Sequence, residues 1–155
     1  MCSQLKPKKI QSLKPCDWSD ILAASQAEGH RMVERLLADF KTRTNQFALQ
    51  GEILLAHLRG KTIVAVAGLN QEQETRFGKG GRIRRLYVIP SRRGKGLARS
   101  LIEEIFSFAR GQHEVLTVNV GTVEARGFYE HLGFDPVQHP RITHTKRLAP
   151  NNPCA

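Results

Sequence analysis

The chain has 155 residues, of which 40% are hydrophobic and 25% charged, a length and composition typical of one soluble globular domain. Its formal charge of +10 at pH 7 favours a negatively charged partner. No apolar run approaches the roughly 20 residues that span a bilayer, and the N-terminal residues lack the apolar segment of a secretion signal, so we expect a cytoplasmic protein with no membrane partner.

A short strand and two helices are the first predicted elements. Residues 10–13 fit a strand, and Asp17 is a typical N-cap for the helix that follows. Residues at helical spacing come next on both sides of Gly29, which indicates two helices, or one helix broken at this glycine. The recurring positions are Trp18, Ile21, Leu22 and Ser25, and then Met32, Val33, Leu36, Leu37 and Phe40.

Three strands are predicted in the middle of the chain. The apolar segments 52–58 and 62–69 are joined by "RGK" and predict a β-hairpin, whose second strand is buried on both faces. A polar loop precedes the next strand at 82–89. The apolar alternation of this strand takes a step of three residues between Ile83 and Leu86, which indicates a β-bulge.

A strand–helix–strand unit is predicted next. Pro90 ends the strand because proline has no N–H group for the ladder. A strongly amphipathic helix at 95–110 follows, stopped by Gly111. The strand at 114–120 would then lie parallel to the strand at 82–89, after a right-handed crossover.

The last predicted elements are one helix and two closing strands. Thr122 is the expected N-cap of the helix, and Gly133 lies where the helix ends. The segments 134–137 and 141–148 predict strands, the second a weak strand at the sheet edge. No repeat or linker divides the chain, so we expect a single domain over 1–155 with its core at about 8–148 and frayed termini. In the helix that follows Thr122, the residues expected on the inner face are Ala125, Phe128, Tyr129 and Leu132.

Cysteine and histidine give no sign of a metal site or a disulfide. Cys2, Cys16 and Cys154 are odd in number and form no CxxC pair. The six histidines form neither an HxxxH nor an HExxH pair. We therefore expect no metal, and free thiols.

The turn before the helix at 95–110 reads "SRRGKG" and carries the strongest functional signal. Arg92, Arg93 and Lys95 surround Gly94 and Gly96. The start of a helix offers unpaired N–H groups and a partial positive charge, and glycines let an anion approach them closely. The turn therefore fits a phosphate, most naturally a pyrophosphate.

The basic residues are concentrated around this turn. Nine of the 24 lie between Arg76 and Arg99, where no acidic residue occurs, and the remaining 15 are balanced by 14 acidic residues. Nonspecific nucleic-acid binders usually spread their charge along a face or tail, so a compact phosphate ligand fits better, although a solvated basic loop is an alternative. "GKGLARS" matches neither the Walker A loop nor the dinucleotide fingerprint, where Arg99 replaces the third glycine.

At this point the sequence resembles the GNAT acetyltransferase superfamily. "RGKGLA" matches the family pattern [QR]-x-x-G-x-[GA], with Arg93, Gly96 and Ala98 at the specified positions. "LYVIPSRRG" is similar to the family's fourth strand and its exit, and "ARGFYEHLGF" to its fourth helix. The resemblance covers roughly residues 8–148. It implies an α/β fold with a mixed, mostly antiparallel sheet of about six to seven strands, a splayed parallel pair, and about four flanking helices.

The resemblance also implies acetyl-CoA as the co-substrate, with no metal. Backbone groups of 93–98 would bind its pyrophosphate and those of 86–89 its pantetheine arm, in a gap opened by the bulge. The N–H of Val88 would stabilise the oxyanion, and Tyr129 would be the general acid that protonates the leaving thiolate, unless its hydroxyl is tied to the backbone. The implied coenzyme-binding residues are Leu86, Tyr87, Val88, Ile89, Arg92, Arg93, Gly94, Lys95, Gly96, Leu97, Ala98 and Thr122.

Two positions depart from many relatives. Thr122 stands where an asparagine is common, which leaves its contact with the pantetheine arm open. Arg84 and Arg85 occupy the strand on which some relatives carry a glutamate base. They fit either an acceptor with a carboxylate or phosphate, or charges that balance the coenzyme or face solvent. The candidates for the general base are water, Glu52, His57 and His30.

The leading hypothesis is an acetyl-CoA-dependent N-acetyltransferase that transfers acetyl directly to a primary amine of a small molecule or of a peptide or protein. The amine acceptor would bind near the two N-terminal helices and the loop after Arg43. The alternatives are a CoA-binding sensor without turnover and, with less support, a basic nucleic-acid-binding domain. We expect a monomer or a homodimer.

Overall fold

The computed structural model describes residues 6–72 and 76–149, which form seven strands and four helices. The strands are β1 (Lys8–Lys9), β2 (Ile53–Arg59), β3 (Thr62–Glu72), β4 (Gly80–Val88), β5 (Val115–Val118), β6 (Asp135–Pro136) and β7 (His144–Arg147). The helices are α1 (Ser19–Ala27), α2 (Met32–Thr42), α3 (Leu97–Ala109) and α4 (Val123–His131). The predicted frayed ends, 1–5 and 150–155, lie outside the described residues.

The seven strands form one sheet in the order β1-β2-β3-β4-β5-β7-β6. Every pair of neighbours is antiparallel except β4 and β5, which are parallel and are joined by α3. A parallel pair needs such a crossover because a tight turn reverses the direction of the chain. The predicted mixed, mostly antiparallel α/β fold with four helices is confirmed.

Helices cover both faces of the sheet. Leu101, Ile102 and Ile105 of α3 are fully buried in one hydrophobic cluster, together with residues of α4. The second cluster, which we call the α1/α2 cluster, contains the buried apolar side chains of α1 and α2. β3 contributes to both, with Ala65 in the first and Val66 in the second, because successive strand residues point to opposite faces. The prediction that this strand is buried on both faces is confirmed.

A β-bulge interrupts the pairing of β3 and β4. One residue of β3, Ala67, lies opposite two residues of β4, Arg85 and Leu86. Arg85 adopts a left-handed backbone conformation with φ of 63°. A bulge bends its strand and increases the local twist. The bulge predicted from the sequence is confirmed.

β4 and β5 separate soon after they meet. Their parallel pairing covers three residue pairs and ends at Arg82 opposite Thr117, whereas β4 continues to Val88. The bulge at Arg85 lies between the last paired residue and the end of β4. The second half of β4 therefore has one edge bonded to β3 and the other edge facing away from β3, towards the gap beside β5.

Several local predictions are confirmed and two are wrong. The chain forms two separate helices around Gly29, which has φ of 78°. The first strand is Lys8–Lys9 instead of 10–13, because Ile10 turns into the α1/α2 cluster. The last strand, at 144–147, is not at the edge: it lies between β5 and β6, and the two-residue β6 forms the edge.

In residues 6–72 and 76–149 no helix is long and apolar enough to cross a membrane. The same part of the chain contains no group of three His, Cys, Asp or Glu side chains that could hold a metal ion.

Candidate active site

The glycine-rich turn leads directly into α3. Gly96 is the N-cap of this helix and has φ of 82° and ψ of 11°. Gly94 also has a positive φ, 76°, and a Cβ atom there would meet no atom within 4 Å. Ser100 is the first residue of α3 whose N–H reaches a carbonyl, that of Gly96. The N–H groups of the residues before Ser100 at the helix start have no intrahelical partner and are directed outward.

Two backbone donors next to the turn are already used. The N–H of Arg92 donates to the carbonyl of Ile89 at 3.0 Å, and the N–H of Arg93 donates to that of Pro90 at 3.3 Å. Both bonds stabilise the single 3-10 turn at Pro90–Arg92. Of the predicted backbone donors at 93–98, those from Gly94 onward are therefore the ones that can bind a pyrophosphate.

The Arg93 side chain bridges two parts of the fold. Its Nη1 and Nη2 atoms donate to the two carboxylate oxygens of Glu28, at 3.0 and 2.6 Å, and its Nε donates to the carbonyl of Val88 at 3.0 Å. The guanidinium also lies over the Tyr87 ring, 5.4 Å from its centre. The Tyr87 hydroxyl donates a short hydrogen bond to the same carboxylate. The α1–α2 connection is thus bonded to the end of β4 and to the glycine-rich turn.

The bonds to Glu28 shift two pKa values. The hydrogen bonds from Arg93, and next the one from Tyr87, lower the pKa of Glu28 from 4.5 to about 2. Burial, followed by the hydrogen bond to Glu28, raises the pKa of Tyr87 to about 12. Glu28 is therefore ionised at neutral pH and too weakly basic to accept a proton from an ammonium group.

We predict that Glu28→Gln destabilises the protein most near neutral pH. Since the pKa of Glu28 is lower in the folded state, its contribution is present above the ordinary value of 4.5 and is lost as the pH falls towards 2. The difference in Tm between the wild type and the variant should therefore shrink between about pH 7 and about pH 3. Glu103→Gln, in an exposed pair with Arg99 on α3, is the control and should change Tm little at either pH. A pH-independent difference would contradict the prediction.

The backbone of Val88 faces away from β3. The N–H of Ile89 donates to the carbonyl of Val64 on β3 at 3.0 Å. Adjacent strand residues direct their N–H groups to opposite sides, so the N–H of Val88 points to the β5 side. Pairing with β5 ends six residues earlier, at Arg82. The predicted oxyanion donor therefore faces the gap between the two parallel strands, whereas the N–H of Ile89 is occupied.

Tyr129 lies on the buried face of α4. Its ring packs edge-on against Phe128 and Phe134, with centroids 5.1 and 5.2 Å away, and the residue is 3% exposed. Its side chain belongs to the same cluster as Val88. No hydrogen bond joins its hydroxyl to another described residue, and burial raises its pKa above the ordinary value of 10. The hydroxyl is thus protonated at neutral pH and can donate to a ligand.

Thr122 is the N-cap of α4, as predicted. Its Oγ1 accepts a hydrogen bond from the N–H of Ala125 at 3.1 Å, and Glu124 lies in the first turn. Both features stabilise the helix start. The structure gives the side chain this capping role, and its predicted contact with the coenzyme remains a prediction.

The three side chains predicted as possible bases lie in different settings. The Glu52 carboxylate accepts hydrogen bonds from the N–H groups of Leu49 and Gln71, which gives it a structural role. His57 is buried, its Nε2 lies 3.1 Å from the Ser100 Oγ, and burial lowers its pKa. His30 is exposed on the α1–α2 connection, and its ring meets the edge of Tyr87 at 6.1 Å.

Comparison with known proteins identifies the family. The model of the acetyltransferase (GNAT) family matches residues 17–134, which include β4, the glycine-rich turn, α3 and α4. A search of curated protein sequences finds no match.

Solved structures share the fold. A candidate acetyltransferase from Exiguobacterium sp. 255-15 is 29% identical, with 92% of each chain covered and a TM-score of 0.80. An acetyltransferase from Streptococcus agalactiae 2603 is 18% identical, covers 95% of this chain and 100% of its own, and has a TM-score of 0.72. A ribosomal-protein-alanine N-acetyltransferase from Brucella melitensis is 19% identical over 75% of this chain and 78% of its own, with a TM-score of 0.55. With its parted parallel strands and a glycine turn at the start of α3, the chain belongs to the GNAT acetyltransferase family.

Proposed function

We propose that the protein is an N-acetyltransferase that transfers the acetyl group of acetyl-CoA directly to a primary amine. The observation that carries this proposal is that backbone N–H groups point outward at two places along one gap. One place is the turn at 94–98, and the other is Val88. The first set fits a pyrophosphate and the second a carbonyl oxygen, which are the two ends of the coenzyme.

The glycine-rich turn would hold the pyrophosphate. The positive φ values of Gly94 and Gly96 expose successive N–H groups at the positive end of α3. Space next to Gly94 is open, so an anion can approach the main chain. Lys95 is exposed beside the turn, while the charge of Arg93 is already neutralised by Glu28. Arg93 would therefore act by holding the turn, and Lys95 and Arg92 would supply the charge that balances the phosphates.

Val88 and Tyr129 would act on the thioester. The neutral amine attacks the carbonyl carbon, and the Val88 N–H stabilises the negative charge that develops on the oxygen. As the carbon–sulfur bond breaks, the Tyr129 hydroxyl donates its proton to the sulfur. The acetylated nitrogen loses its extra proton to water, and Tyr129 recovers a proton from solvent. No covalent enzyme intermediate is required, because both substrates occupy the gap together.

Nitrogen as the acceptor atom is supported by one named neighbour. The Brucella melitensis protein with the same fold is a ribosomal-protein-alanine N-acetyltransferase, an enzyme that acetylates an amine. β4 itself carries no acidic residue, and Arg84 and Arg85 stand where some relatives have a glutamate base, which favours a second candidate, a CoA-binding sensor without turnover. The two functions differ in whether thiol is released.

Ligand binding and thiol release test the proposal together. We expect acetyl-CoA to raise Tm clearly, because a ligand at 100 times its Kd stabilises a fold by about 2.7 kcal/mol, and NAD, ATP or a DNA duplex to raise it little. Thiol released from acetyl-CoA is then followed with polyamines, amino acids, aminoglycosides and peptides. Binding of acetyl-CoA with no thiol release in the presence of every amine tested would support the CoA-binding sensor. Equal shifts with DNA and acetyl-CoA would instead indicate nucleic-acid binding.

A further inference from the structure

Three arginines lie together near the β-bulge, on the face of the sheet that α2 covers. Arg84 is paired with Gly68, whose missing side chain would point at the ring of Phe47 in the α1/α2 cluster, so Arg84 shares that face. The Arg85 side chain reaches α2, where its Nη2 lies 3.5 Å from the Asp39 Oδ2. Arg35 of α2 also acts electrostatically on Arg85. We call Arg35, Arg84 and Arg85 the arginine cluster.

Arg85 is the central member and is incompletely paired. Its side chain is 12% exposed, and its contact with Asp39 is at the long limit for a hydrogen bond. Its Nε is buried and has no hydrogen-bond partner among the described residues. Burial, together with the nearby charge of Arg84, lowers its pKa. A buried guanidinium with an unused donor is costly unless an anion binds to it.

The backbone at the bulge is strained at the same position. Arg85 has φ of 63°, a conformation that costs a residue other than glycine free energy and is concentrated at functional sites. In the group formed by Asp39 and the arginine cluster, three positive charges face one negative charge. The group therefore has an excess of positive charge, which favours a further anion.

The order of residues along β4 indicates which substrate brings this anion. The glycine-rich turn follows the end of β4, Val88 lies just before it, and Arg85 lies three residues before Val88, about 10 Å away along the strand. In the proposed function the phosphates of the coenzyme lie at the turn and its thioester at Val88. Arg85 thus lies beyond the reactive end, where the acceptor and not the coenzyme is expected.

We infer that the arginine cluster is a binding site for a carboxylate or phosphate of the acceptor, so that the preferred acceptors are amines that also carry an anionic group. This inference rests on the proposed N-acetyltransferase function and names its substrate class. Arg85 would bind the anion through its fork of N–H groups and would orient the amine towards the thioester.

Matched acceptors test the inference by thiol release. The panel consists of straight-chain ω-amino acids of increasing length with their carboxamides, and of O-phosphoethanolamine with ethanolamine. We expect the best anionic acceptor to have a KM at least about tenfold lower than its neutral counterpart, as for a charge-assisted hydrogen bond. The two series distinguish carboxylate from phosphate. Equal KM values within every pair, or a preference for neutral amines, would overturn the inference while leaving the N-acetyltransferase function intact.

Variants connect this preference to the arginine cluster. Arg85→Gln should raise KM for anionic acceptors about tenfold to hundredfold and leave neutral amines and the affinity for acetyl-CoA unchanged. Arg84→Gln should act in the same direction and serves if Arg85→Gln does not fold. The control is Arg59→Gln, an exposed arginine with the same change of charge, whose partner Thr62 lies six residues from Gly68 along β3, about 20 Å. Equal effects on both classes of amine would overturn the inference.

A binding experiment separates this inference from turnover. The protein saturated with CoA, which occupies the pyrophosphate site, is titrated with inorganic phosphate and with acetate and followed by NMR. We expect amide shifts around the arginine cluster that saturate for the wild type and for Arg59→Gln and are lost in Arg85→Gln. If no amine releases thiol but the anion binds in this way, the proposed function fails and the anion site stands. If Arg85→Gln gives the same titration as the wild type, the anion does not bind at the arginine cluster and the inference is wrong.

Discussion

A Gly96→Glu protein should lose its affinity for acetyl-CoA. The carboxylate would stand at the N-cap of α3, among the N–H groups proposed to bind the pyrophosphate. Juxtaposed like charges cost several kcal/mol, which corresponds to a more than hundredfold weaker Kd. The measurement is a calorimetric titration with acetyl-CoA, together with Tm in the absence of ligand.

Strain and charge can be separated by a matched control. Gly96 has φ of 82°, so any other residue there is strained, and some loss of Tm is expected whatever the ligand does. Gly60→Glu in the β2–β3 turn introduces the same carboxylate at φ of 62°, where a Cβ atom would meet nothing within 4 Å. We expect this control to lose comparable stability and to bind acetyl-CoA normally. Normal affinity in both variants would show that the pyrophosphate does not bind at the turn.

A Tyr129→Phe protein should turn over about a hundredfold or more slowly and bind acetyl-CoA almost normally. The substitution removes the proton proposed to reach the leaving sulfur, and general acids typically contribute a factor of this size. The ring keeps its contacts with Phe128 and Phe134. Steady-state thiol release gives kcat, and a titration gives the affinity.

Stability separates this role from a structural one. A buried hydroxyl bonded to the backbone would contribute about 1 kcal/mol to folding. The Tyr129 hydroxyl has no such bond to a described residue, so the unfolding free energy of Tyr129→Phe should be almost unchanged. A variant with normal kcat and lower stability would place Tyr129 in the core and remove it from the mechanism. Since burial raises its pKa, Tyr129 should not limit the rate below its ordinary pKa of about 10.

Arg93 shows how one motif residue can differ from the role that its charge suggests. The sequence places it in a phosphate-binding turn, but its guanidinium is bonded to Glu28, 65 residues away, and to the carbonyl of Val88. Glu28 itself gave no functional signal, because an acidic residue in a helix connection is common on any protein surface. The Arg93–Glu28 pair becomes visible only in the tertiary structure, which shows that the α1–α2 connection lies next to the glycine-rich turn.

Local features of the candidate active site were predictable because they depend on residues close in sequence. The step of three between Ile83 and Leu86 predicted the bulge, since a strand alternates every two residues. Thr122 predicted the helix cap, because a hydroxyl at that position can accept from the third N–H. Gly94 and Gly96 predicted a turn open to close approach at the start of α3, and both have a positive φ in the structure.

The order of strands in the sheet was harder to predict from the sequence. The segment at 141–148 was predicted as an edge strand because its apolar pattern is weak, yet β7 lies between β5 and β6, with His144 fully buried and bonded to Glu130 of α4 at 2.8 Å. A buried polar residue is satisfied by partners that the local sequence does not specify. Similarly, residues 10–13 were predicted as the first strand, but pairing with β2 occurs at Lys8–Lys9.

The motifs of the sequence by themselves indicated the family. Periodicity, capping residues and glycines determined the order of the elements and the position of the glycine turn, because these are properties of a few neighbouring residues. The tertiary structure decided which charges are free to bind a ligand. Arg93 and Arg85 look alike in the sequence, but Arg93 is bonded to Glu28 through both terminal nitrogens, whereas Arg85 is largely buried at a bulge with one long contact to Asp39. The physical reason is that the free energy of a buried charge depends on the groups that folding brings around it, and these come from distant parts of the chain.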